Sequence, residues 1–151
     1  ALVVAVTAAL LFFSTDFFRT KISNFWIKNV IANSKTTSGY IKIENKNEKN
    51  ERLISVESNI SKRTQLHYMN IKNDIMIMTH LEHGVLIRSK SQINLKPRNF
   101  HIMFIDLTKS FNKTSNQKVK FNFENAGSII INMPIINKAK ISKDKKKHHH
   151  H

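Results

Sequence analysis

Short apolar runs that alternate with polar residues, with no helical periodicity, constrain this chain more than any other feature. Tyr40-Ile41-Lys42-Ile43 alternates cleanly. From Phe100 to Asp106, Phe100, Ile102 and Phe104 fall on one face and His101, Met103 and Ile105 on the other. Successive side chains of a strand point to opposite faces, so both segments read as half-buried strands. Further runs at Ile22–Ile31, Leu53–Val56, Val85–Ile87, Ile93–Leu95, Lys118–Phe123 and Ser128–Ile136 have the same character. Polar or glycine-bearing breaks separate them, among them Asn45–Asn50, His83-Gly84 and Asn125-Ala126-Gly127. Many short strands with turn signals at regular intervals predict an all-β sandwich or barrel.

Length and composition narrow the class. A chain of 151 residues is long enough for one domain with a real core. It has no cysteine, which excludes disulfide frameworks, thiol redox motifs, cysteine zinc sites and a blue-copper centre with its thiolate ligand. The formal charge is +15. Part of this crowds into one tail at Lys138, Lys140, Lys143 and Lys145–Lys147, and the rest is dispersed. No basic helix and no aromatic-interleaved RNA motif accompanies it, so a solvated basic surface is the expectation and no nucleic-acid partner is assigned. A basic module docking on nucleic acid or anionic lipid is the alternative function.

The ends divide the chain. Ala1–Phe13 is an uncharged apolar run that would span roughly 20 Å as a helix, short of a ~30 Å hydrocarbon core. Residues 1–20 are therefore expected to be a signal peptide or membrane anchor segment, exporting the chain to the periplasm with anchoring to the inner membrane as an option. With neither an initiator Met nor a basic region ahead of the run, the expectation is that the chain starts inside a longer precursor. Residues 21–137 form the folded domain, and 138–151 a Lys/His-rich tail expected to be disordered.

The strands carry a second pattern. His67/Met69 and His101/Met103 each place an imidazole and a thioether on one strand face, and Met76/Met78/His80 repeats the spacing in reverse order. Asn70–Asp74 reads as a hairpin turn. A loop centred between Lys72 and Asn73 would set His67 opposite Met78 and Met69 opposite Met76, with Leu66, Tyr68, Ile75 and Ile77 on a core face. Imidazole plus thioether without thiolate suits Cu(I). Met69 and Met76 are expected to line the site, and His80 and His83 to be surface residues near a turn. The acidic residues are scattered with no paired constellation and there is no Gly-rich phosphate loop, so an enzyme is not expected.

With these residues in order, the chain from Ile22 to Ile136 resembles the PCu(A)C family of periplasmic copper chaperones. The likeness runs through Phe25-Trp26-Ile27, Gly39–Asn45, Arg52-Leu53-Ile54, Gln65-Leu66-His67 and Met76-Ile77-Met78. It continues with Leu95-Lys96-Pro97, Phe100–Met103 and Phe121–Gly127. Its most specific part is the metal signature, occupied here by His67, Met78, His101 and Met103. The resemblance implies a cupredoxin-like Greek-key β-sandwich or barrel binding copper as Cu(I), with Cu(II) also open to it. It further implies delivery of copper to the cytochrome c oxidase subunit bearing the dinuclear copper centre, beside a Sco-type copper protein; a monomer is expected. One departure is Arg98-Asn99 where the family has Gly after Leu-Lys-Pro, which bears on the turn rather than on the ligands.

Overall fold

The computed structural model describes residues 19–31, 33–111 and 115–137. The N-terminal apolar run and the Lys/His tail lie outside these residues. Among the described residues eleven strands occur: β1 (Thr20–Lys28), β2 (Thr36–Asn45), β3 (Glu51–Glu57), β4 (Ser61–Lys72), β5 (Ile75–His80) and β6 (Val85–Ile87), followed by β7 (Ser91–Leu95), β8 (Phe100–Leu107), β9 (Gln117–Phe123), β10 (Gly127–Met133) and β11 (Ile135–Ile136). Among the described residues there is no helix, and so none long and apolar enough to cross a membrane.

Two sheets share one core. The seven-stranded sheet runs β11-β1-β2-β8-β4-β5, with β7 also paired to β2, and the four-stranded sheet runs β10-β9-β3-β6. The chain passes repeatedly between the sheets, so neighbours in space are often distant in sequence. β8 lies between β2 and β4, and β3 pairs with β9. Period-two burial drives this. In β9, Gln117, Val119, Phe121 and Phe123 are buried while Lys118 faces water. Ile41 and Ile43 of β2, Leu66 of β4 and Ile102 and Phe104 of β8 face Leu53, Val56, Val119 and Phe121 in the core cluster. Gly39 makes room for a ring on the neighbouring strand of the same sheet: a Cβ there would stand 2.8 Å from Phe104 Cε2 of β8.

Burying polar groups requires hydrogen-bond partners, and the core rim supplies them. The Glu51 carboxylate, 1% exposed, accepts from the backbone N–H groups of Arg52, Asn125 and Ala126 at 2.8, 3.0 and 2.9 Å. It thereby ties the β9–β10 turn to β3. The Asn45 amide donates to the carbonyls of Lys49, Ile87 and Arg88, and its oxygen accepts from Asn47 N–H.

The β4–β5 hairpin corrects the sequence expectation. Lys72 pairs with Ile75, leaving a two-residue loop of Asn73 and Asp74, both with positive φ (52° and 61°). That is the type I′ geometry that matches strand twist, and Asn and Asp tolerate it well. Centring the loop one position later shifts β5 by two residues. His67 therefore faces His80, Met69 faces Met78 and Ile71 faces Met76. The expected core face also stops short. Leu66 is buried, but all of β5 is exposed, Ile75 and Ile77 included, because the hairpin projects past the end of the core.

Candidate metal centre

Three strands of the large sheet present His and Met side chains on the face opposite the core. Across β4 and β8, His67 is paired with His101 and Gln65 with Met103. Across β4 and β5, His67 is paired with His80 and Met69 with Met78. One row of the sheet thus holds His80, His67 and His101. Met69 and Met78 lie one same-face step towards the hairpin tip, and Met103 one step the other way. The His67 ring lies 5.6 Å, centroid to centroid, from both the His101 and the His80 ring.

Hydrogen bonds leave each inner imidazole with one uncommitted nitrogen. His101, 4% exposed, has Nδ1 3.0 Å from the Asn99 carbonyl. A carbonyl only accepts, so Nδ1 carries a proton, and in the neutral ring the lone pair is on Nε2. This backbone tether also fixes the ring, as outer hydrogen bonds do for metal-ligating histidines. The Asn99 carbonyl accepts from Met69 N–H as well, at 3.2 Å. His67 has Nε2 2.9 Å from Gln65 Oε1, an acceptor, which leaves the lone pair on Nδ1. That Nδ1 is buried and has no hydrogen-bond partner. Burial, and then the nearby His101 and His80, push the His67 pKa below the usual imidazole range. A neutral imidazole is the form that binds metal.

The sulfurs flank this pair. Met103 Sδ accepts from the Ser38 hydroxyl at 3.7 Å. Met69 is buried, whereas Met78 is 48% exposed on the edge strand. The structure thus sets His67 beside His101 with Met103 close by, and moves Met78 from beside His67 to beside Met69. Among the described residues no three His, Asp or Glu side chains surround a common point at ligand distance. A closed site therefore draws on the thioethers or on ring movement. The turn before β8 survives the loss of glycine because Arg98 itself takes φ 65°. His83 is exposed, and Trp26 packs on a buried Tyr40 with ring centroids 4.5 Å apart. His80 is exposed, as expected, but the sequence reading missed its place across from His67. The signal was the Asn73-Asp74 pair, which favours a tight loop and puts His80 in the row of His67.

A family model described as "Putative lipoprotein LpqE-like" matches residues 20–135 of the chain. The chain belongs to this family. None of the curated proteins matches it. Among solved structures, the chain is similar to the "Copper-bound PCuAC domain from PmoF2" (TM-score 0.66, 19% identity, 79% of this chain and 93% of that one). It is also similar to the "Apo PCuAC domain from PmoF1" (TM-score 0.65, 22% identity, 79% and 94%). A third likeness is to the solution structure of CuI-DR1885 from Deinococcus radiodurans (TM-score 0.58, 12% identity, 78% of each chain). At these identities the likeness establishes the fold, which is that of PCuAC domains and agrees with the all-β sandwich expected from the sequence.

Proposed function

We propose that this LpqE-like chain is a non-catalytic copper carrier holding Cu(I) through His67, His101 and Met103, with Met78 closing the set from the edge strand. The observation that carries this reading is the paired His67 and His101, each tethered through one ring nitrogen, with the other nitrogen of His67 buried and unpartnered. Copper-bound and Cu(I)-loaded relatives of the same fold support the choice of metal. The donor chemistry supports it too, since thioether and imidazole favour Cu(I) over hard cations. Neutral thioethers also exchange one at a time with a partner's ligands without proton competition.

Membership of a family described as lipoproteins supports a place in the cell envelope. On this reading residues 1–20 export or anchor the chain, residues 21–137 carry the metal, and residues 138–151 gather it loosely. The recipient is the oxidase subunit with the dinuclear copper centre, reached beside a Sco-type protein. The test is an anaerobic Cu(I) competition titration of the full chain and of His67→Ala, His101→Ala, Met103→Ile and Met78→Ile, with circular dichroism to follow the fold. Loss of at least about tenfold in affinity in the two histidine variants is expected, equivalent to about 1.4 kcal/mol. Unchanged affinity in all four variants overturns the reading.

A further inference from the structure

The His67–His101 pair has a neighbour that the metal signature does not contain. The two-residue Asn73-Asp74 turn sets the β5 register so that His80 stands directly across from His67. On the other side of His67, at the same level, stands His101. Both neighbouring rings are 5.6 Å from the His67 ring, so the row is evenly spaced over three strands. The middle ring holds the buried, unpartnered Nδ1. The outer ring belongs to an edge strand whose residues are all exposed, so it meets an arriving ion first and is free to turn inward. No sulfur lies in this row. Met69 and Met78 are a step to one side, and Met103 a step to the other.

We infer that His80 is a third imidazole donor of this face, and that the His80–His67–His101 row takes up copper in its oxidised form, Cu(II), once the exposed His80 ring turns towards His67, since the three rings as placed do not surround a common point. The inference rests on the copper reading above and adds a second, nitrogen-rich donor set to it. Imidazoles suit the tetragonal Cu(II) ion, whereas the thioethers on either side suit Cu(I). His67 belongs to both sets. Reduction of the bound ion by one electron from an external reductant then shifts its preferred donors from His80 towards the sulfurs, with His67 and His101 retained.

The test uses the full chain with His148, His149, His150 and His151 replaced by Ala, so that the tail does not compete for Cu(II). In that background His80→Gln is expected to lower Cu(II) affinity at least about tenfold while changing Cu(I) affinity by less than about twofold. Electron paramagnetic resonance should report fewer coupled nitrogens in the variant than in its parent. His83→Gln, on the neighbouring turn, is the control and should change neither. Unchanged Cu(II) affinity and nitrogen coupling in His80→Gln overturns the inference. Equal loss of both oxidation states, or the same loss in His83→Gln, overturns it as well. If the parent protein binds no Cu(I) tightly, the carrier reading fails, and the Cu(II) comparison of His80→Gln with its parent still decides the role of His80.

Discussion

Two polar centres of this domain use their lone pairs in opposite ways. At Glu51 the carboxylate is closed in by three backbone N–H donors from β3 and the β9–β10 turn. At His67 and His101 one nitrogen of each ring is tethered, and on His67 the other is buried with nothing to bond. Burying an unsatisfied polar atom costs free energy, about 1–3 kcal/mol as a general figure. A centre that serves only the fold is expected to be saturated, as Glu51 is. His67 Nδ1 is instead left without a partner while the other ring nitrogen is held, the arrangement that the proposed metal reading uses.

Four experiments can break or sharpen this contrast. The largest effect is expected at Glu51. Glu51→Ala strands the Asn125 and Ala126 amides and should lower unfolding free energy by about 3 kcal/mol, read by denaturant titration, without touching metal affinity beyond what the lost stability explains. Comparable loss of metal binding at full stability would erase the distinction between the centres. His101→Ala should do the reverse. Copper affinity should fall at least about tenfold, while stability changes by no more than about 2 kcal/mol, since a half-used polar group leaves with the ring.

A smaller effect is expected at the turn that delivers the Asn99 carbonyl. Arg98 stands at φ 65°, a conformation that L residues adopt at a cost of about 1 kcal/mol and glycine adopts freely. Arg98→Gly should therefore raise or hold stability, by up to about 1 kcal/mol after the added flexibility of the unfolded chain is counted. Clear destabilisation would mean that the Arg98 side chain contributes more than its backbone loses.

The smallest effect concerns acid. The His67 pKa is held below the ordinary value by burial and by the facing histidines, so the unfolded chain takes up the proton first. Stability of the metal-free protein should decline as pH falls from the usual imidazole range through the lower folded value, and His67→Phe should flatten that decline. An identical pH profile in the variant would separate the shift from stability.

Much of this was legible in the sequence, for reasons that also explain what was not. Alternation in Tyr40–Ile43 and Phe100–Ile105 fixed strands and faces because the buried face needs apolar residues at every second position. Parity also put His67 with Met69 and His101 with Met103 on shared strand faces, while the choice of His67, Met78, His101 and Met103 as a set came from the resemblance. Parity leaves the register of a hairpin undetermined in steps of two, and a loop centred one residue too early gave His67 the wrong partner. The left-handed tolerance of Asn73 and Asp74 was the available correction. Glu51 could not have been found, since its partners come from residues about 75 positions away in sequence.

The exposed β5 strand has a kinetic consequence. It contributes no residue to the core, it lies at the open edge of its sheet, and its ladder to β4 is its pairing in the sheet. Segments with few buried contacts open by local fraying at free energies well below that of global unfolding. β8, by contrast, lies between β2 and β4 and carries Ile102 and Phe104 in the core, so it separates only when the domain does. Hydrogen exchange at Met78 and His80 should therefore be fast while that at Ile102 and Phe104 is slow. A cargo held between such strands can be let go from one side without the fold coming apart.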